Sequence, residues 1–193
     1  GGRLFVQSMD QYTVTQGLDF SVGDIDMQVF MTYGETNEVD ETRNYGRFDR
    51  WALAVDPVAC AANSSCPGVL DPFSEFGSIT PEQMAFLSTN SLKDQSTNDL
   101  EIYGINASGS LSESTQYYVG YEKRSESGEY KPDEFLSEGL TTGGASGPLK
   151  GGFNVQELFG EIYTQVSDRL SVDASLRYSD YDTVGSSSTY KVG

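Results

Sequence analysis

The 193-residue sequence has no histidine, two cysteines, six prolines and a single tryptophan. Without histidine, neither a Ser-His-Asp triad nor a Cys-His pair can be assembled within the chain. The commonest metal ligand and neutral-pH proton carrier is missing too. Cations are scarce: 12 Lys and Arg face 29 Asp and Glu, a formal net charge of −17. So acidic a chain has little with which to neutralise phosphates, which excludes nucleic acid as a partner. No apolar run approaches the roughly 18 to 20 residues a membrane-spanning helix needs. No Gly-rich loop followed by Lys and Ser/Thr is present to cradle a phosphate. No basic segment followed by an apolar stretch opens the chain. It begins in Gly-Gly-Arg and stops just after Tyr190-Lys191-Val192, so the expectation is a segment of something longer, or a processed product.

What chemistry remains is thin. Glu38, Asp40 and Glu41 form a carboxylate cluster of the kind used in glycoside hydrolysis or calcium binding. The EF-hand spacing is absent, and a solvated acidic loop explains the cluster more simply. No catalytic residue, metal or cofactor is expected, and the chain is not read as an enzyme.

Cys60 and Cys66, with Asn63-Ser64-Ser65 between them, suit a small disulfide-closed loop in an oxidising compartment. Two unpaired thiols in a cytosolic protein are the alternative. A metal site is disfavoured, because no further Cys or His could complete it.

Twelve Tyr, ten Phe and 21 Gly favour β structure. From Leu170 the period is two: Leu170, Val172, Ala174, Leu176 and Tyr178 share one face, and Ser171, Asp173, Ser175 and Arg177 the other. Leu158, Gly160, Ile162 and Val166 form the matching face of the preceding strand, with a tight turn at 167–169. A second hairpin turns at Gly23-Asp24. Its apolar faces are Tyr12, Val14, Leu18, Phe20 and Val22, then Ile25, Met27, Val29, Met31 and Tyr33. Phe30 breaks that pattern. A third hairpin turns at 112–114, with Tyr103, Ile105, Ala107 and Leu111 facing one way and Tyr117, Val119 and Tyr121 following. Tyr118 is its exception. Residues 1–11 carry no clear pattern.

Two long irregular stretches intervene, at about 35–97 and 125–152. In the first, 48–55 reads as a short helix ended by Pro57. Thr80-Pro81-Glu82-Gln83 reads as a helix start, with Thr80 as cap, Pro81 at the first position and Gln83 closing a capping box. The connections thus alternate: tight turns at one end of the strands, long loops at the other. Up-and-down strands of about ten residues so connected are the pattern of an outer-membrane β-barrel. Tyr12, Tyr33, Tyr103, Tyr117 and Tyr178, near strand ends on the apolar face, fit an interfacial aromatic girdle. Asp19, Asp26, Glu101, Glu122, Glu157, Glu161, Asp173 and Arg177 would then line a watery lumen. A secreted β-sandwich or adhesin-like binding module gives the same period of two and stays open beside the barrel.

Several runs resemble the extracellular loop of bacterial TonB-dependent outer-membrane receptors. They are Trp51-Ala52-Leu53-Ala54-Val55-Asp56-Pro57, Cys60-Ala61-Ala62, Cys66-Pro67 and Gly77-Ser78-Ile79-Thr80-Pro81-Glu82-Gln83, with Gly120-Tyr121-Glu122-Lys123-Arg124 and Gly128-Glu129-Tyr130-Lys131-Pro132-Asp133. Gly151 to Glu161, Arg177 to Tyr181 and Thr189 to Gly193 complete the match, which covers nearly the whole chain in order. The resemblance implies that residues 1–193 are a partial segment of an all-β, antiparallel, transmembrane barrel in the bacterial outer membrane, with short helices in a long extracellular loop. In that family the barrel has 22 strands and is closed by an N-terminal plug. Transport requires that plug and its pull by the TonB complex. The implied partners are outer-membrane lipid, the remaining strands, the plug, the TonB complex through the N-terminal part, and a small-molecule solute such as an iron chelate, an oligosaccharide or a vitamin. Loop residues Tyr45, Arg47, Arg50, Trp51 and Phe73 are the candidates for ligand contact, because aromatics stack on sugars and Arg grips anions. For Trp51 the competing role is to anchor the loop's own small core.

Overall fold

The computed structural model describes residues 2–75, 77–89 and 91–193. It is all-β. Seven antiparallel strands follow one another in a single sheet in the order β1 to β7. They are β1 Leu4–Val22, β2 Ile25–Arg43, β3 Leu92–Ser112, β4 Thr115–Lys131, β5 Leu149–Ser167, β6 Leu170–Tyr181 and β7 Gly185–Val192. All seven belong to one sheet, so a sandwich of two facing sheets does not describe this architecture.

The tight turns sit where sequence places them, at 23–24, 113–114 and 168–169. Gly23 adopts φ +61°, a conformation open to glycine at no steric cost. The helical connections 44–91 and 132–148 leave from the opposite strand ends, joined there by the short turn 182–184.

Several expectations change. Five strands are 17 to 21 residues long, not about ten. Pairing runs through the first nine residues of the stretch read as loop, up to Arg43, and resumes at Leu92. The added lengths carry polar residues on both faces, so no period marks them; backbone pairing needs none. Residues 4–11, unassigned from sequence, belong to β1. Pro57 does not merely end α1 (Phe48–Val55). It opens α2 (Pro57–Ala62), where Asp56 accepts from the amides of Val58 and Ala59 at 2.9 and 3.0 Å.

The chain divides into two compact units. Unit 1 comprises 1–10, 37–97 and 129–149; unit 2 comprises 11–36, 98–128 and 150–193.

Unit 1 holds the helices. α3 (Pro81–Leu87) has the expected capping box: Gln83 N–H donates to Thr80 Oγ1 at 3.2 Å, and Thr80 N–H to Gln83 Oε1 at 3.0 Å. Ala54, Leu70 and Leu87 make a small core, covered by Trp51, Cys66, Ile79 and Phe86. Cys60 and Cys66 are disulfide-bonded. The bond closes the α2 end of the connection over this core. α4 (Glu134–Ser137) is capped by Asp133, which also accepts the Lys93 amide at 3.0 Å and so ties the helix to the start of β3.

Unit 2 is sheet alone, with two unlike faces. Across β5 and β6, Leu158 pairs with Tyr178, Gly160 with Leu176 and Ile162 with Ala174. Opposed residues share a face. This face continues into β7 through Tyr190 and Val192. Its large side chains stay open: Val14, Leu18, Val22, Leu111, Leu158, Val166 and Leu176 are all exposed. The other face pairs Glu157 with Ser179, Phe159 with Arg177 and Tyr163 with Asp173.

Candidate functional site

The polar face of unit 2 is built by the same period of two that makes the apolar one. Its side chains bond to one another across strands. Gln28 Nε2 donates to Asp19 Oδ1 at 2.8 Å, and Ser21 Oγ to Asp26 Oδ1 at 2.7 Å. Glu157 is nearly buried. It accepts Arg177 Nη1 at 3.0 Å and Ser179 Oγ at 2.6 Å. Lys191 Nζ lies 3.3 Å from Asp173, and Arg124 Nη1 3.0 Å from Glu126. One sequence assignment is corrected. Glu101 has the parity of Tyr103 and Ile105, whereas Leu100 approaches Gly34 beside Thr13 on the polar face. Glu101 therefore lies with the apolar face, at the end where polar residues resume.

The two pattern-breakers, Phe30 and Tyr118, are aromatic members of the polar face. The Phe30 ring covers Gly104, leaving no room there for a Cβ. Phe159 covers Gly120 in the same way, with Tyr118 beside it at 5.9 Å between ring centres and the Arg177 guanidinium 4.8 Å above it. A flat ring on a glycine shields backbone that has no side chain of its own. The face contains a groove of about 580 Å³ at the end nearer 34–36, 98–100 and 126–128, whose lining includes Thr13, Asn98, Glu126 and Phe153. Its hydroxyl, amide, carboxylate and aromatic groups suit a polar solute.

The apolar face ends in tyrosines. Tyr12, Tyr33, Tyr103 and Tyr178 lie nine to eleven residues from their tight turns, and Tyr117 three residues from its own. Tyr12 and Tyr33 are ring neighbours at 5.8 Å. Both hydroxyls donate to Glu35 Oε2, at 2.9 and 3.0 Å. Just outside the strands, Asp182 accepts the side chain and the backbone amide of Asn154, which hold its carboxyl below the usual range.

The five loop candidates all fall in unit 1, and four are engaged within it. Arg47 is 8% exposed. It donates through Nε and Nη2 to both carboxylate oxygens of Asp49, at 2.8 and 2.7 Å. Its guanidinium carbon lies 3.8 Å from the centre of the Phe135 ring. Hydrogen bonding to Arg47 depresses the Asp49 pKa, and the same bond raises that of Arg47. Arg50 Nη1 donates to the Phe86 carbonyl at 2.9 Å, tying α1 to α3. Trp51 packs on Ala54, Leu70 and Leu87, so it anchors the loop's core. Tyr45 has the Arg3 guanidinium 4.3 Å from its ring and its hydroxyl against Gly143. Phe73 alone is open, 94% exposed on a turn fixed by its amide bond to Asp71 Oδ1 at 2.9 Å. Glu38 and Glu41, read as loop carboxylates, stand on β2. Glu41 is held down to about pKa 2, first by its bond to Arg43.

No protein-family model matches the chain, and no curated protein sequence matches it. Its fold is similar to that of a chain in the structure of the RagAB peptide importer in the "open-open" state, with a TM-score of 0.58 and 14% identity over 98% of this chain. The chain spans about a fifth of that protein's length, 20%. A crystal structure of a Pseudomonas aeruginosa FadL homologue aligns with a TM-score of 0.40 and 13% identity, covering 96% of this chain and 45% of that one. The first likeness shows the fold: an all-β sheet of antiparallel up-and-down strands.

Proposed function

We propose that residues 1–193 form part of the wall of a TonB-dependent outer-membrane receptor, a transporter and not an enzyme. The observation that carries this reading is the two-faced sheet of unit 2. One face exposes Val14, Leu18, Leu111, Leu158 and Leu176 with no second layer over them in the single sheet; the other is polar and hydrogen-bonded. In water so much bare apolar surface is costly, whereas against hydrocarbon it is at home. The tyrosines that end the apolar face suit the membrane interface. On this reading the bacterial outer membrane supplies the lipid, and further strands pair with the open edges of β1 and β7. A plug and the TonB complex supply gating and energy. The helical connections lie on the extracellular side. A peptide fits the polar groove, as do the smaller solutes of this receptor class, and Phe73 is the loop aromatic free to meet one.

The test is partition into lipid. The chain, refolded from urea, is expected to be monodisperse only with detergent or lipid vesicles. It should also be protected from protease over unit 2 once inserted. A cooperatively folded, monodisperse monomer in plain buffer would overturn the reading.

A further inference from the structure

The polar face of unit 2 has three cations among its described residues, and each already sits on a carboxylate. Arg124 pairs with Glu126, Arg177 with Glu157 and Lys191 with Asp173. Four carboxylates on the same face have no cation. Asp19 and Asp26 accept only from Gln28 and Ser21. Glu122 and Glu161 take part in none of the side-chain bonds or ion pairs of the described residues. Register places Glu161 opposite Ser175, and Glu122 shares the parity of Gly120, which Phe159 covers.

A groove of about 430 Å³ gathers Glu161 with Tyr118, Phe159, Ser175, Arg177 and Lys191. The two cations in it pair with Glu157 and Asp173, so with Glu161 these five side chains carry one net negative charge. An anionic group entering here meets an unneutralised carboxylate. A cationic group meets that carboxylate beside two aromatic rings, and both attract it.

We propose that this face selects for solutes bearing an ammonium or guanidinium group, with Glu161 as the charge that receives it and Tyr118 and Phe159 as the rings beside it. The inference rests on the transport reading above and names the class of solute.

The test uses the whole chain in detergent micelles with two probes, Lys-Lys-Lys and Glu-Glu-Glu, each bearing the same dye, followed by anisotropy at low salt. The chain is acidic throughout, so bulk charge needs its own control. One variant carries E122Q and E161Q. The other carries E75Q and E82Q, two exposed carboxylates of unit 1, the second in the first turn of α3, and changes the net charge equally. The lysine peptide is expected to bind at least about tenfold more tightly than the glutamate peptide. The polar-face variant is expected to lose about tenfold, and the unit 1 variant under about twofold. Equal losses in the two variants, or unchanged binding in the polar-face one, would overturn the proposal. Among the described residues Glu122 and Glu161 take part in no side-chain bond or ion pair, so their variants are expected to keep the wild-type circular dichroism. Vesicle insertion is scored separately. Failed insertion with intact charge discrimination sinks the membrane reading alone; successful insertion without discrimination sinks this one.

Discussion

The ring of Phe30 covers Gly104 on the neighbouring strand, in the space a Cβ would occupy. The fit predicts a specific sensitivity. Gly104→Val must displace the ring and is expected to destabilise the sheet by about 1–3 kcal/mol in urea unfolding from micelles. Adding Phe30→Ala should recover part of that loss, because the obstruction is gone. A double variant no more stable than Gly104→Val alone would show that the two residues do not act as a pair.

Leu176 and Ser175 are neighbours on opposite faces. Leu176→Lys puts a charge on the apolar face and is expected to cost roughly 2 kcal/mol of stability in vesicles. Ser175→Lys adds the same charge to the polar face, beside Glu161, and should be tolerated within about 0.5 kcal/mol. Equal effects in a vesicle-refolding assay would contradict the assignment of faces.

Acid should loosen unit 1 before a surface argument would suggest. Glu41 and Asp49 are both held below their ordinary values, 4.5 and 3.8. A carboxyl with a depressed folded pKa contributes stability that is complete above its unfolded pKa and lost as pH falls through the folded one. For Glu41 the window runs from about 4.5 down to about 2. Unit 1 stability, followed by the fluorescence of Trp51, is expected to decline across that window. Arg47→Gln should flatten the part of the slope that belongs to Asp49. An unchanged slope in that variant would mean the pair does not couple to folding.

Reduction provides a further check on the same reporter. Opening the Cys60–Cys66 bond frees a short loop in the unfolded chain, at an expected cost of about 2–3 kcal/mol. The Trp51 transition should move to lower denaturant with reductant or in Cys60→Ser/Cys66→Ser. The tyrosine signal of unit 2 should move less.

Much of this was readable in the residues, for identifiable reasons. An apolar face and a polar face leave a period of two, so the hairpins at 23–24, 113–114 and 168–169 could be drawn from sequence. Thr80 and Gln83 announce a helix start through chemistry local to four residues. The outer parts of the strands could not be read. In β2, residues 35–43 read Glu-Thr-Asn-Glu-Val-Asp-Glu-Thr-Arg, polar on both sides, and are held by backbone pairing and by bonds such as Gln7 to Glu38 at 2.6 Å. Pro57 reads from sequence only as the end of α1, because a proline that ends one helix and one that opens the next look alike until Asp56 is seen to cap. Arg47, Arg50 and Trp51 were ambiguous at the level of residue type. A guanidinium or an indole that grips a ligand is chemically the same as one that grips Asp49, a carbonyl of α3 or the core. Phe73, 94% exposed, is engaged with none of these.

Glu35 accepts the hydroxyls of both Tyr12 and Tyr33 where the apolar face gives way to polar residues. With that face in lipid, the trio works as a waterline. Sliding the wall inward by one residue pair would submerge a carboxylate. Sliding it outward would lift two phenols off the interface they are shaped for. On the proposed membrane reading the wall has one draught, and a bilayer of different thickness has to bend to meet it.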